Sequence, residues 1–129
     1  MSRRHKAQTP EAKKHIQMLH TLPCMITQHE DIKDWPGQPQ FITVHHVHGG
    51  SMLEVDGFEN PGWGQKSSDW LAIPLHEIYH TGAIGIDKIG VEVWERNNAP
   101  QVRLIDKLCC LLEMDLWIRA GIKRELPEL

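Results

Sequence analysis

The sequence is short of cysteine and has no long hydrophobic run, no internal repeat and no low-complexity tract. No apolar stretch approaches the ~18 residues that span a bilayer, and the opening Met1-Ser2-Arg3-Arg4-His5-Lys6 lacks the apolar core of a secretory signal. A soluble cytoplasmic protein with no membrane partner is the expectation. Of the three cysteines, Cys109 and Cys110 are adjacent and cannot bridge each other without strain, and Cys24 stands alone. Reduced thiols are expected, not a disulfide framework. With 40% hydrophobic and 24% charged residues, the chain is too apolar for a disordered one. Its 129 residues make room for one domain, able to bury about two-thirds of the surface its unfolded form exposes.

Charge is unevenly spread. Residues 1–20 hold Arg3, Arg4, Lys6, Lys13 and Lys14 against Glu11 alone, a balance of +4, so the other 109 residues carry −7 of the total −3. Screening acts over roughly 8–10 Å at physiological salt. A basic head of this kind is therefore available to a phosphate backbone despite the acidic remainder, or serves as a solvated arm.

Pattern along the chain points to an α+β protein. Thr9 as N-cap and Pro10 at the first helical position open an amphipathic helix with Ile16, Leu19 and His20 on one face, ending before Pro23. Phe41 to His48 is rich in β-branched and aromatic residues and reads as a strand, stopped by Gly49-Gly50. Residues 49–68 form a long irregular loop, of the length that usually frames a site. Pro74 is placed to open a two-turn helix from Leu75 to His80. Val91–Asn97 reads as helical, and Gln101–Ala120 is an amphipathic helix with Leu104, Leu108, Leu111, Leu112 and Met114 near its core face. Its Leu108, Leu111, Leu112 and Leu116 suit a monomer core or a homodimer face equally.

Nine histidines are the main chemical signal. His76 and His80, four residues apart, project from one face of a helix and can chelate a single cation. A strand ending in His45-His46 supplies a third imidazole and leaves its neighbour free to move a proton; three ligands with open positions describe a catalytic metal. Imidazole ligands suit zinc, manganese or nickel, and magnesium with extra waters fits an open site. The same helix also reads His76-Glu77-Ile78-Tyr79-His80, matching the H-E-x-x-H of zinc peptidases in which the Glu activates water. Against that reading, the helix is confined between Pro74 and Gly82 and no downstream third ligand is evident. A third possibility is a zinc-stabilised nucleic-acid-binding module without catalysis. Lys66 is available to phosphate oxygens, and Trp63 or Trp70 to an unpaired base, although Trp70 beside Leu71 and Ile73 reads as core.

The segment His45-His46-Val47-His48-Gly49-Gly50, a loop, and then Ser68-Asp69-Trp70-Leu71-Ala72-Ile73-Pro74-Leu75-His76-Glu77-Ile78-Tyr79-His80 resembles the ββα-metal (His-Me finger) motif of HNH endonucleases. It is similar in style to the small phage Ref-type recombination-associated nucleases. The resemblance covers residues 24–82. It implies a small single α+β domain with a ββα-metal core at about 41–82; with the pattern of the remaining residues this gives a basic arm and helix over 1–20 and an HNH-like domain over 21–129, whose helical C-terminal part, 91–122, lies outside the shared motif. It further implies one divalent metal on His45, His76 and His80, His46 as general base, and Asp69 near the place of the family's central Asn. His48 is an extra residue, available to phosphate along with Lys66 and the basic head. The implied activity is metal-dependent hydrolysis of phosphodiester bonds in DNA, single-stranded or branched substrates included, in phage recombination or processing and in the host cytoplasm. The family's four-cysteine structural zinc is excluded, since Cys24 is followed at C-x-x-C spacing by Thr27.

Overall fold

The computed structural model describes residues 8–127. Its fold is small and α+β. Helix α1 (Pro10–Leu19) starts as expected, with the Thr9 side chain accepting from the Ala12 N–H and Pro10 in the first turn. Two antiparallel strands follow, β1 (Ile42–His46) and β2 (Ala72–His76), in the register Thr43↔Leu75, Val44↔Pro74 and His45↔Ile73. Four short helices and one longer one complete the chain: α2 (Glu77–His80), α3 (Ile86–Ile89), α4 (Val91–Asn97), α5 (Gln101–Leu112) and α6 (Leu116–Arg119).

β2 is the buried centre, with all five residues covered and both α1 and α5 packed on it. Leu71, Ile73 and Leu75 join Leu19, Trp94, Ile105, Leu108, Leu116 and Trp117 in one core. A strand buried on both faces reads as a continuous apolar run, not an alternating one. The expectation that Pro74 opens a helix is therefore corrected: Pro74 lies in β2, and only Glu77–His80 is helical. Its missing N–H costs the ladder nothing, because Val44 and Pro74 occupy a pair whose backbone groups point outward, and the Pro74 carbonyl accepts from Met25 N–H at 3.0 Å.

A second correction concerns the last helix. α5 stops at Leu112, Glu113 takes a left-handed conformation (φ 51°), and the Asp115 side chain caps α6 by accepting from Ile118 N–H. Leu111, in the last turn of α5, is 63% exposed and so is no core residue, while Trp117 beyond the break is fully buried. The Trp117 indole N–H donates to the buried Asp106, whose carboxylate also takes both a 2.8 Å and a 3.1 Å bond from Arg124. No helix among the described residues is long and apolar enough to cross a membrane.

Candidate metal centre and catalytic pair

In an antiparallel pair, residues opposite each other share a face and neighbours along a strand alternate. Thr43 and His45 therefore lie on one face of the sheet, and His46 on the other with Ile42 and its partner His76. α2 lies over the first face: His80 Nδ1 meets Thr43 Oγ1 at 2.9 Å, and the rings of His45 and His80 are edge to face at 5.2 Å. The chain then turns so tightly that a Cβ at Gly85 would run into the carbonyl of His80. That turn delivers Asp87 at the start of α3, with its Oδ2 3.3 Å from His80 Nε2. His45, His80 and Asp87 each offer a ligand atom within 4.8 Å of the others, a group that could hold a metal ion.

The proton inventory of this group decides what fits there. The single hydroxyl proton of Thr43 goes to the Leu75 carbonyl at 2.8 Å, so Thr43 Oγ1 accepts from His80 Nδ1–H. That leaves His80 Nε2 with a bare lone pair aimed at a carboxylate oxygen. His45 is similar: its Nε2–H donates to Gln101 Oε1 at 3.0 Å, which leaves Nδ1 bare. Burial pushes the His45 imidazole down to about 3, outweighing the upward effect of its bond to Gln101. Burial likewise lowers His80, with Asp87 pulling up and His46 and His48 pushing down. Two imidazoles and a carboxylate thus face one another, burial favours the neutral form of both rings, and a cation between them would be stabilised by all three. Metal bonds of about 2.0–2.2 Å separate donors by roughly 3.0–3.4 Å, so the side chains fit one ion after closing their widest gap by roughly 1.5 Å.

His76 takes no part. It is fully buried at the end of β2, on the face opposite His45, where Nε2–H donates to the Glu30 carbonyl at 2.8 Å and Nδ1 accepts from Thr27 Oγ1 at 3.1 Å. Both nitrogens are satisfied, so the structure does not assemble the expected triad of His45, His76 and His80; the group that could hold an ion is His45, His80 and Asp87. The peptidase reading loses its geometry for the same reason, since His76 and His80 do not share a helix face. Its Glu77 is occupied as well, with Oε1 accepting from Phe41 N–H at 3.3 Å. Cys24 lies elsewhere, buried, its Sγ accepting from Ile26 N–H.

His46 and Asp69 do come together. His46 Nε2–H donates to Asp69 Oδ1 at 2.7 Å, and Asp69 Oδ2 accepts from Gln8 at 2.9 Å. The bond fixes the imidazole's orientation and tautomer and leaves Nδ1 free to accept a proton. His45 and His46 both line one open cavity of about 450 Å³, lined also by His20, Val44, His48, Gln65, Lys66, His80 and Asp87. Lys13 and Lys14 are exposed on α1 and do not line the cavity. Arg3, Arg4 and Lys6 lie outside the described residues.

Three contributors escape sequence reasoning. Asp87 belongs to no spacing pattern, and only the glycines after His80 signal that the chain doubles back. Thr43 is legible in hindsight as the residue two before His45 and so on its face. Gln101 has no local signal at all: fully buried at the start of α5, it accepts from His45 and from His48 N–H and donates to the His48 carbonyl at 2.8 Å. Glu95 anchors this amide from the other side and also takes the N–H and hydroxyl of Ser51. Compared with known proteins, the chain matches no family model, no curated sequence and no solved structure.

Proposed function

We propose that the chain is a metal-dependent DNA endonuclease in which His46 is the general base and His45, His80 and Asp87 hold one divalent ion. The observation that carries this reading is the juxtaposition, in one cavity, of a His45, His80 and Asp87 group that could hold a metal ion and an imidazole oriented by a carboxylate. His46 Nδ1 takes a proton from water, the hydroxide oxygen bonds to phosphorus, and the bond from phosphorus to the 3′ oxygen breaks, that oxygen taking a proton from solvent. When bound, the ion supplies positive charge to the phosphate and to the departing oxygen. His48 and Lys66 line the same cavity, where they contact further phosphate oxygens. Two imidazoles and a carboxylate favour manganese, zinc or nickel over magnesium by ligand type. The order of strand, loop, strand and short helix also supports the likeness to HNH nucleases drawn from the sequence.

The test is a cleavage assay on duplex, single-stranded and branched DNA with magnesium, manganese, nickel or zinc, run beside calorimetric metal titration. His46→Ala should lose roughly 10²–10⁴-fold in rate and still bind metal, whereas His80→Ala should lose the metal. Wild-type protein that cleaves nothing with any of the four ions, or a His46→Ala protein as fast as wild type, refutes the proposal.

A further inference from the structure

We infer that Trp63 is a stacking platform for an unpaired nucleobase beside the cavity, which makes single-stranded DNA, or the single-stranded part of a branched molecule, the substrate class; the inference rests on the nuclease reading above. The remaining tryptophans are spent on the fold or partly covered. Trp94 and Trp117 are fully buried, and Trp70 is packed against His15 with the Arg119 guanidinium over its ring. Trp63 is fully exposed, at 103%. Leaving a side chain of this size in water forgoes the hydrophobic gain of burying it.

The placement of Trp63 is specific. Gln65 N–H donates to the Gly62 carbonyl at 3.0 Å and Gly64 has φ +72°, a turn with its positive-φ glycine third and Trp63 second, at the apex. The space a Cβ at Gly64 would occupy is empty, so the surroundings leave the indole accessible. Both ends of this segment are tied to the residues around His48. Asn60 Oδ1 accepts from Gly49 N–H at 2.7 Å, and Ser67 Oγ donates to the Val47 carbonyl at 2.7 Å. The turn is thereby held in fixed relation to His46 and His48, and its next two residues, Gln65 and Lys66, line the cavity. Trp63 stands three residues before Lys66, a separation of at most ~11 Å along the chain, and we place the base of a nucleotide whose phosphate sits at Lys66 against the indole. Duplex bases are already stacked and present no free face along their length. An open indole therefore discriminates for unpaired bases, and does so without reading their identity.

The experiment uses the full chain carrying His46→Ala, so that binding is read without cleavage, in the presence of manganese. A fluorescein-labelled oligothymidylate and a blunt DNA hairpin of equal charge, its loop a glycol linker without bases, are the probes. Adding Trp63→Ala should weaken oligothymidylate binding roughly 5- to 150-fold, the equivalent of about 1–3 kcal/mol per stacked base. Trp63→Phe should retain most of the affinity, and hairpin binding should stay within twofold. Equal losses on both probes, or none on either, overturn the stacking role alone, provided wild type cleaves DNA. A protein that binds neither probe and cleaves no DNA sinks the nuclease reading and this inference with it.

Discussion

Replacing Gln101 by leucine keeps the volume near that of the native side chain and removes every polar contact that side chain makes. His45 Nε2–H and His48 N–H lose their acceptor, and the His48 carbonyl loses its donor. A buried polar group left without a partner costs about 1–3 kcal/mol. His45 is almost wholly buried and suffers fully, while water reaching the half-buried His48 relieves part of the remainder. The expected destabilisation is roughly 2–4 kcal/mol, a large share of the ~5–15 kcal/mol that holds a small domain together. The same substitution frees the His45 ring to turn and to change tautomer, so metal affinity should fall roughly 10- to 100-fold. Gln101→Glu separates the two effects. Its carboxylate still accepts from His45 but confronts the Glu95 carboxylate and the His48 carbonyl, so stability falls while much of the affinity survives. Urea unfolding with chelator present reads the first quantity, and titration with manganese the second. A Gln101→Leu protein matching wild type within about 0.5 kcal/mol, with unchanged metal affinity, refutes the reasoning.

Two further outcomes are expected. His76→Gln should lower the urea midpoint of the metal-free protein, because both ring nitrogens are bonded within the fold, yet leave the metal titration within about threefold of wild type; a lost metal isotherm in folded protein would restore His76 to the ligand set. His15 is buried against Trp70 with Nε2 unpartnered. Burial, and then Arg119, hold its imidazole below the ordinary value, with Asp69 pulling the other way. A depressed folded value means that the unfolded chain takes the proton first, so stability is full above about pH 6.5 and declines as pH falls beneath it, at no more than about 1.4 kcal/mol per pH unit for this one group. His15→Phe keeps an aromatic ring against Trp70 and should flatten that decline by up to one proton's worth; parallel curves for the two proteins would show that His15 does not titrate across unfolding.

Local signals in the sequence located the parts of the site that depend on local geometry. The N-cap at Thr9, the strand through His45-His46 and the helical Val91–Asn97 rest on propensity and spacing within a few residues, and the structure has those elements at those places. The errors share a physical origin in long-range packing. Spacing at i, i+4 carries its meaning only on a helix, and residues 72–76 are claimed by β2 because the core covers both of its faces. Asp87 reaches His80 through a backbone turn that depends on Gly85 lacking a side chain, and Gln101 reaches His45 from a different helix. Leu111 fits the helical stripe, but Glu113 ends the helix before the stripe can be used.

His45 and His46 are consecutive residues of one strand, the former in the group that could hold a metal ion and the latter bonded to Asp69. In the proposed mechanism the ion and the proton acceptor are therefore anchored one peptide unit apart, a unit whose bond lengths and planarity hardly change with temperature or solvent. Drift of the surrounding loops can alter access and substrate choice without altering that spacing. Anyone transplanting this chemistry to another scaffold should begin with a five-residue extended segment as the ruler and add the remaining donors around it.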